Sequence, residues 1–164
     1  MRSRYGMNKQ LPDDTAIKAV LEPIAGYQEP WLLKVLLVED DPLDVHWVTQ
    51  TLKSIEEFEC NICHASSVED ARTAIAANDF DVALLDYHLP DGHGDDVVKI
   101  LEDKAGRCAA IIVSGGTMSE VSLYAMGAGA VAAVGKDDLN PSLLETTIRF
   151  ALRNQAARRQ GNVG

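Results

Sequence analysis

Short apolar runs that lead into polar or charged side chains constrain this chain more than any other feature. Runs of three to five apolar residues bounded by turn-forming residues are typical of buried strands in a parallel sheet. Because parallel strands share one carboxyl edge, where such sheets bind ligands, we expect the side chains that follow these runs to converge there. The four runs are Val35–Val38 before Glu39 and Asp40, Val82–Leu85 before Asp86, Ile111–Val113 before Ser114, and Val131–Gly135 before Lys136.

From Lys34 onward, predicted strands alternate with predicted helices. Five βα units of this kind predict an α/β fold, a doubly wound parallel sheet with helices on both faces. The flavodoxin-like strand order 2-1-3-4-5 suits such a sheet and places Glu39 and Asp40 beside Asp86 at its switch point. The predicted strands are 34–39, 59–64, 82–86, 109–114 and 130–134, and the predicted helices are 42–55, 67–78, 94–104, 117–127 and 141–159.

Local signals support three of the helix starts. Ser67 stands three residues before Asp70, in the spacing of a capping box. Asn140 precedes Pro141, which combines an N-cap residue with proline at the first helical position. Pro42 suits the first turn in the same way, and the negative charge of Asp41 is favourable just before it.

The composition indicates one soluble domain with an acidic centre. The chain has 164 residues, 46% of them apolar, and a net charge of −10. Residues 34–140 carry seven Lys and Arg against twenty Asp and Glu, which disfavours nucleic acid as a ligand and suits a divalent cation. No apolar stretch is long enough to cross a membrane and no apolar segment follows the basic N-terminus, so we expect no membrane association and a cytoplasmic location.

The chain divides into three predicted parts. Residues 1–33 form an N-terminal extension, partly mobile or folded onto the domain, in which 14–23 has the pattern of a short helix. Residues 34–159 form the domain, and 160–164 form a short tail.

The predicted cluster suits phosphoryl chemistry. A carboxylate such as Asp86 can attack a phosphoryl group and form an aspartyl phosphate. Mg²⁺ would offset the repulsion between the gathered anions, with Glu39 and Asp40 as oxygen ligands. Lys136 can pair with phosphoryl oxygens as a point charge, and the Ser114 hydroxyl can donate a hydrogen bond to them.

At these residues the sequence resembles the receiver domain of response regulators in two-component signalling. The matching stretches are KVLLVEDDP from Lys34, LLDYHLPDGHG from Leu84, IIVSG from Ile111, and GAGA from Gly127 followed by Gly135-Lys136. The resemblance implies that Asp86 is the phosphoacceptor. It further implies that Glu39, Asp40, Asp86 and the backbone carbonyl of His88 hold Mg²⁺ or Mn²⁺, that Ser114 is the switch hydroxyl, and that Lys136 is the family's lysine.

Three positions depart from the family pattern. Asp137 stands where the family usually has proline after the lysine, and a cis bond before a non-proline residue costs about 2.5–4 kcal/mol, so we expect a differently shaped loop. Ala133 stands where the family often has Tyr or Phe, so the aromatic switch is missing at that position. Gly115 and Gly116 make the loop after Ser114 more permissive.

The resemblance implies a single-domain response regulator that catalyses its own phosphorylation and slow dephosphorylation. Its phosphoryl donor would be a histidine kinase or a histidine phosphotransfer protein, and the few residues after the last helix leave no room for an output domain. Output would then pass through protein contacts or a phosphorelay. A homodimer would use the helix 4–strand 5–helix 5 face or the N-terminal extension. Two alternatives remain for Phe150: an exposed side chain would mark a contact surface, and a packed one would belong to the core.

Other functions remain open at this point. A pseudo-receiver would act as an interaction module without phosphate. A small phosphatase forming an aspartyl phosphate needs a second aspartate two residues after the nucleophile, where His88 stands. A flavodoxin-like cofactor binder needs a phosphate-binding loop after the first strand, and three acidic residues there would repel phosphate.

The segment Cys60-Asn61-Ile62-Cys63-His64 has the spacing of a c-type haem attachment motif. It falls on the predicted second strand, where residues three apart face opposite sides of the sheet. We therefore expect three reduced cysteines, with Cys108 as the third, and no haem.

Overall fold

The computed structural model of the protein describes residues 31–104, 108–115 and 129–161. Within these ranges the sheet consists of β1 (Trp31–Val38), β2 (Phe58–Ala65), β3 (Val82–Asp86), β4 (Ala109–Ser114) and β5 (Ala132–Gly135). The helices are α1 (Pro42–Lys53), α2 (Val68–Ala77), α3 (Gly94–Asp103) and α4 (Pro141–Gly161). Two shorter features are a hairpin that pairs His88–Leu89 with Gly92–His93 and a 3-10 turn over Lys136–Asp138.

The sheet is parallel throughout and confirms the predicted topology. Its strand order is β2-β1-β3-β4-β5. The switch point therefore lies between β1 and β3, where Val38 is paired with Leu85. The helix predicted over 117–127 and the short helix predicted over 14–23 lie outside the described residues, so α4 corresponds to the predicted fifth helix.

Several strand boundaries differ from the predicted ones. β1 begins at Trp31 rather than at Lys34, so the predicted start of this strand is three residues too late. The Trp31 backbone N–H donates to the Glu57 carbonyl at 2.7 Å, and the Trp31 ring packs against Phe58 with its centroid 5.4 Å away. Pairing and aromatic packing extend the strand past the point where the apolar pattern stops. β5 is shifted the other way and covers 132–135 instead of 130–134.

Side chains begin the helices as the sequence predicts. Asp41 and Ser67 are N-caps whose side-chain oxygens accept hydrogen bonds from backbone N–H groups of α1 and α2. Asn140 does the same for α4 by accepting from the Leu143 N–H at 3.0 Å. These bonds satisfy backbone donors that a helix leaves unpaired at its start.

The sheet separates two apolar cores. Leu33, Val35 and Leu37 point into the core shared with α1 and α4, whereas Leu36 and Val38 point into the core shared with α2 and α3. The cysteines of β2 follow the same alternation. Cys60 packs against the first core and Cys63 against the second, as the predicted strand period requires. Both thiols are free, as is that of Cys108.

Phe150 and its neighbour Arg149 lie in different environments on α4. Phe150 is 44% exposed, but the neighbouring Arg149 is only 3% exposed. The Arg149 guanidinium lies 4.3 Å from the Trp31 ring centroid, and its Nε is 3.2 Å from the fully buried carboxylate of Glu145. Arg149 is therefore part of the core edge. Among the described residues, no helix combines the length and the apolar character needed to cross a membrane.

Candidate functional site

Asp86 is the last residue of β3, at the carboxyl edge of the sheet. Its side chain is buried, and it follows four fully buried apolar residues. β1 ends alongside it, because Val38 is paired with Leu85. The residues that follow these two strands are therefore brought to the same place by the register of the sheet.

Three carboxylates meet at this point. One oxygen from each of Glu39, Asp40 and Asp86 lies within 4.8 Å of the others, and only Asp40 is exposed to solvent. A mixture of buried and open carboxylates suits a hard divalent cation that keeps some of its waters. The first residues that the sequence singled out are thus brought together, and their geometry fits the predicted cation.

Glu39 is held in place by its neighbours on both sides. Its backbone N–H donates to the Ala65 carbonyl at 3.0 Å, and His64 Nε2 lies 2.8 Å from the Glu39 carbonyl oxygen. Its carboxylate accepts from the Asp41 N–H at 3.1 Å. The end of β2 and the start of α1 therefore fix the position of this acidic side chain.

Lys136 comes to the carboxylates from another strand of the sheet, β5. It follows β5, and its ammonium lies 2.8 Å from Glu39, 2.8 Å from Asp44 and 3.4 Å from Asp86. The predicted meeting of Lys136 with Glu39 and Asp86 is present, and the ammonium serves as counter-ion to the carboxylates.

Asp44 is the residue at this site that the sequence analysis missed. It lies in the first turn of α1, where an acidic residue has an ordinary explanation in the helix dipole. Its contact with Lys136 spans 92 residues, so no local pattern predicts it. The available signal was its spacing, one helical turn after Asp40 and Asp41 on the helix that starts at this edge.

The electrostatic environment of the site shifts the pKa values of Glu39 and Lys136. Burial raises the pKa of Glu39 from its ordinary 4.5 to about 7, and the nearby Asp86 charge adds to the shift although the Lys136 hydrogen bond opposes it. For Lys136, burial acts to lower the pKa, but hydrogen bonds from the ammonium to Asp44 and Glu39 and the charge of Asp86 outweigh it, so the net shift is upward. Lys136 therefore stays charged, while Glu39 can bind a proton near neutral pH.

Ser114 ends β4, between the strands that lead to Asp86 and Lys136. It is paired with Gly135 in the sheet register, and its preceding residue Val113 is paired with Asp86. Its side chain is buried. The position fits the predicted switch hydroxyl, and that role stays a prediction.

The segment after Asp86 is packed tightly against the site. The Gly94 N–H donates to the Tyr87 carbonyl at 2.8 Å, and a Cβ on Gly94 would lie 2.7 Å from the Asp86 carbonyl oxygen. The rings of Tyr87, His88 and His93 lie within 6 Å of one another, centroid to centroid. His88 is exposed two residues after Asp86, and the predicted cation contact of its carbonyl stays a prediction.

The loop after β5 has the expected departures. Lys136, Asp137 and Asp138 form a 3-10 turn. Ala133 is half-buried and packs against the core shared with α2 and α3, with no ring at that position. The lysine is thus positioned by a short turn rather than by the Lys-Pro segment usual in the family.

Fold and site together define a class of doubly wound α/β domains with carboxylates and a lysine at the carboxyl edge of the sheet. The sequence profile of the response regulator receiver domain matches residues 35–149. The chain therefore belongs to the response regulator receiver family.

Curated relatives share part of their length with this chain. DNA-binding transcriptional activator DevR/DosR of Mycobacterium tuberculosis is 32% identical over 106 residues, which cover 65% of this chain and 48% of that protein. A cyclic di-GMP phosphodiesterase of Thermotoga maritima is 32% identical over 123 residues, covering 75% of this chain and 32% of that protein. The chain spans about half or less of the length of these relatives.

Solved structures agree on the fold. A CheY-like response regulator receiver domain from Methanospirillum hungatei JF-1 is 29% identical with a TM-score of 0.64, covering 77% of this chain and 98% of that one. A LuxR-family two-component response regulator from Aurantimonas sp. SI85-9A1 has a TM-score of 0.67 at 20% identity, covering 75% and 86% of the two chains. The second similarity supports the fold alone.

Proposed function

We propose that this protein accepts a phosphoryl group on Asp86 from a phosphorylated histidine, in a reaction that depends on Mg²⁺ or Mn²⁺. The observation that carries the proposal is the meeting of Lys136 with Glu39 and Asp86 at the carboxyl edge of the sheet. Three separate parts of the chain converge there, and the family to which the chain belongs uses such a cluster for phosphoryl transfer.

The reaction joins an Asp86 carboxylate oxygen to phosphorus while the phosphorus–nitrogen bond of the donor breaks. The imidazole nitrogen leaves with the electron pair of that bond and takes a proton from solvent. Phosphoryl transfer of this kind depends mostly on positioning and charge stabilisation. Lys136 supplies a fixed positive charge close to the phosphoryl oxygens, and Ser114 supplies a hydroxyl near the neighbouring strand end.

Glu39, Asp40 and Asp86 are the side chains that would hold the cation, with the His88 carbonyl as a further ligand. When bound, Mg²⁺ neutralises charge on the transferred group and on the carboxylates. The buried carboxylates of Glu39 and Asp86 orient toward this point, and the exposed Asp40 leaves the site open on the solvent side.

The donor would be a histidine kinase or a histidine phosphotransfer protein that docks beside the site. Leu43 is 79% exposed and Trp47 is 37% exposed, and both lie on α1, which starts at the acidic edge. Exposed apolar side chains at the entrance to a phosphoacceptor suit a partner that must bring its histidine close to Asp86. These side chains support docking along α1.

We further propose that the protein is a response regulator in the cytoplasm, with output through contacts to a target protein or through a phosphorelay. The exposed Phe150 on α4 supports a protein contact there, including a homodimer through the face of the predicted fourth helix (117–127), β5 and α4. The N-terminal extension is the alternative dimer element. The acidic balance of the chain supports a protein partner over nucleic acid.

Intact-mass spectrometry after incubation with acetyl phosphate tests the phosphoacceptor proposal. We expect one phosphoryl adduct on the wild type with Mg²⁺, little adduct when the cation is chelated, and none on Asp86→Asn. Asp137→Asn is the matched control, since it removes an exposed carboxylate next to Lys136 and should leave the adduct unchanged. A folded wild type that forms no adduct and does not bind beryllofluoride would contradict the proposal and indicate a pseudo-receiver.

A further inference from the structure

The contacts of Lys136 are unequal, and the inequality involves Asp44. The ammonium lies 2.8 Å from both Glu39 and Asp44, but 3.4 Å from Asp86. Charge-assisted N–H···O bonds are typically 2.7–2.9 Å long. The two short contacts are therefore full hydrogen-bonded ion pairs, and the contact with the predicted phosphoacceptor is not.

The two short contacts differ in exposure. The Glu39 side chain is 3% exposed and the Asp44 side chain is 31% exposed, and that of Lys136 is 14% exposed. A buried carboxylate that loses its counter-ion pays a large desolvation cost, whereas a partly exposed one can be hydrated. When Lys136 is drawn elsewhere, Asp44 is the partner that can release it.

We propose that Asp44 is a positioning residue that competes with the phosphoryl group for the ammonium of Lys136. The inference rests on the proposed function, because it concerns the same site before and after phosphorylation. In the unphosphorylated protein, Asp44 holds the ammonium toward the first turn of α1. A phosphoryl group on Asp86 draws the ammonium to its own oxygens and leaves the Asp44 carboxylate to solvent.

The competition extends the signal to α1. Asp44 is in the first turn of that helix, one residue from the exposed Leu43 and three residues before Trp47. Within the described part of the chain, Lys136 is the only cation that the structure places in contact with Asp44, so loss of this ion pair leaves the carboxylate without a positive partner. Phosphorylation would then change the charge of the surface along which the donor docks.

Beryllofluoride, an analogue of the bound phosphoryl group, tests the competition directly. Its affinity would be measured by ¹⁹F NMR at saturating Mg²⁺ on the whole protein. We expect Asp44→Asn to bind it about three- to tenfold more tightly than the wild type, because the ammonium is no longer held by a second carboxylate. Asp44→Glu should restore near wild-type affinity, and the charge-matched control Asp137→Asn should change affinity less than twofold.

A double-mutant cycle with Lys136→Met separates competition from simple charge repulsion. If Asp44 acts through Lys136, Asp44→Asn has less than a twofold effect once the lysine is gone. If Asp44 acts by repelling the anion directly, the effect is as large or larger in that background, and the proposal is overturned. An unchanged or weaker affinity of Asp44→Asn in the native background also overturns it.

A signature in the unphosphorylated protein covers the case in which Lys136→Met no longer binds the analogue. The Lys136 ammonium signal, seen by ¹H–¹⁵N NMR, should exchange with water faster in Asp44→Asn than in the wild type or in Asp137→Asn. An unaltered signal would overturn the proposal. If the wild type neither forms the acetyl phosphate adduct nor binds beryllofluoride with Mg²⁺, the proposed function falls as well, whereas wild-type binding without the Asp44 effect removes this inference alone.

Discussion

Glu39 and Asp40 are adjacent residues in very different environments, and this difference carries consequences at the residue scale. Glu39 is buried behind the end of β2, whereas Asp40 faces solvent. One carboxylate is therefore costly to ionise without a counter-ion, and the other is not. A bound cation and Lys136 are the two groups that can compensate the buried charge of Glu39.

The raised pKa of Glu39 predicts that Mg²⁺ affinity depends on pH near neutrality. With a pKa of about 7, a proton competes with the cation for this carboxylate. Affinity should rise about tenfold per pH unit below 7 and level off above about pH 8. Isothermal titration calorimetry between pH 5.5 and 8.5 measures this, and Glu39→Gln should bind more weakly with little pH dependence. An affinity that is flat for the wild type over this range would contradict the account.

The raised pKa of Glu39 also makes the stability of the cation-free protein depend on pH. The folded state binds the Glu39 proton more tightly than the unfolded state, since the pKa rises from 4.5 to about 7 on folding. The stabilisation from this proton is complete below pH 4.5 and is lost as the pH rises through 7. Cation binding should recover it above pH 7.

Arg149 is expected to contribute to the stability of the folded protein. It is 3% exposed, paired with the fully buried Glu145 and stacked on Trp31. Removing one member of a buried ion pair typically costs about 3–5 kcal/mol, because the other charge remains buried. We expect Arg149→Met to lower the free energy of unfolding in urea by about 3 kcal/mol or more.

Two variants control for this interpretation of Arg149. Arg158→Met removes an arginine from the same helix whose ion pair with Glu102 is partly exposed, so it should cost less than about 1 kcal/mol. Glu145→Leu combined with Arg149→Met removes both charges and should recover much of the lost stability. A loss for Arg149→Met no larger than that for Arg158→Met would show that the pair is not stabilising.

At the scale of elements, the loop from β3 to α3 fixes the backbone of Asp86. A Cβ at Gly94 would lie 2.7 Å from the Asp86 carbonyl oxygen and 2.9 Å from Ile112 Cδ1. We expect Gly94→Ala to lower the unfolding free energy by about 1–3 kcal/mol and to slow phosphorylation severalfold, because the end of β3 must move. Urea unfolding and the acetyl phosphate reaction measure the two effects.

Gly115→Ala is the matched control for that substitution. Gly115 follows β4 at the same edge, but a Cβ there meets nothing closer than Lys136 Cδ at 3.8 Å. It should leave stability nearly unchanged. Equal losses for both variants would show that close packing beneath Asp86 is not what positions it.

The elements also show how far sequence reasoning extends. β3 and β4 match their predicted bounds because each is an apolar run that ends at a polar residue, Asp86 or Ser114. β1 was predicted too short because its first residues are fixed by contacts with Phe58 and Glu57, which follow 27 and 26 residues later. Local patterns predict an element where burial alone defines it, and miss an end that depends on tertiary pairing.

The same limit applies at the site. Glu39, Asp40, Asp86 and Lys136 were predictable because each follows a strand and strand ends share an edge. Asp44 was not, since its partner Lys136 is 92 residues away and its place in a helix start has a common explanation. The burial of Arg149 was likewise hidden, because it depends on an aromatic residue in another strand.

At the scale of the whole molecule, the chain is strongly acidic, and the negative charge at the candidate site is partly compensated by Lys136. The net charge is −10, yet the three carboxylates nearest Lys136 each find a positive partner in it. An anionic donor must approach this acidic edge, which makes the cation and the lysine essential to the proposed reaction. We therefore expect the phosphoryl group to be placed on Asp86 and on no other carboxylate.

Chemical location of the phosphoryl group tests this claim most directly. The protein would be phosphorylated with acetyl phosphate and Mg²⁺, reduced with borohydride to convert an aspartyl phosphate to homoserine, digested, and sequenced by tandem mass spectrometry. We predict homoserine at position 86 in the wild type and at no position in Asp86→Asn. Homoserine at Asp40 or Asp41, or a phosphorylated wild type with none at 86, would contradict the account.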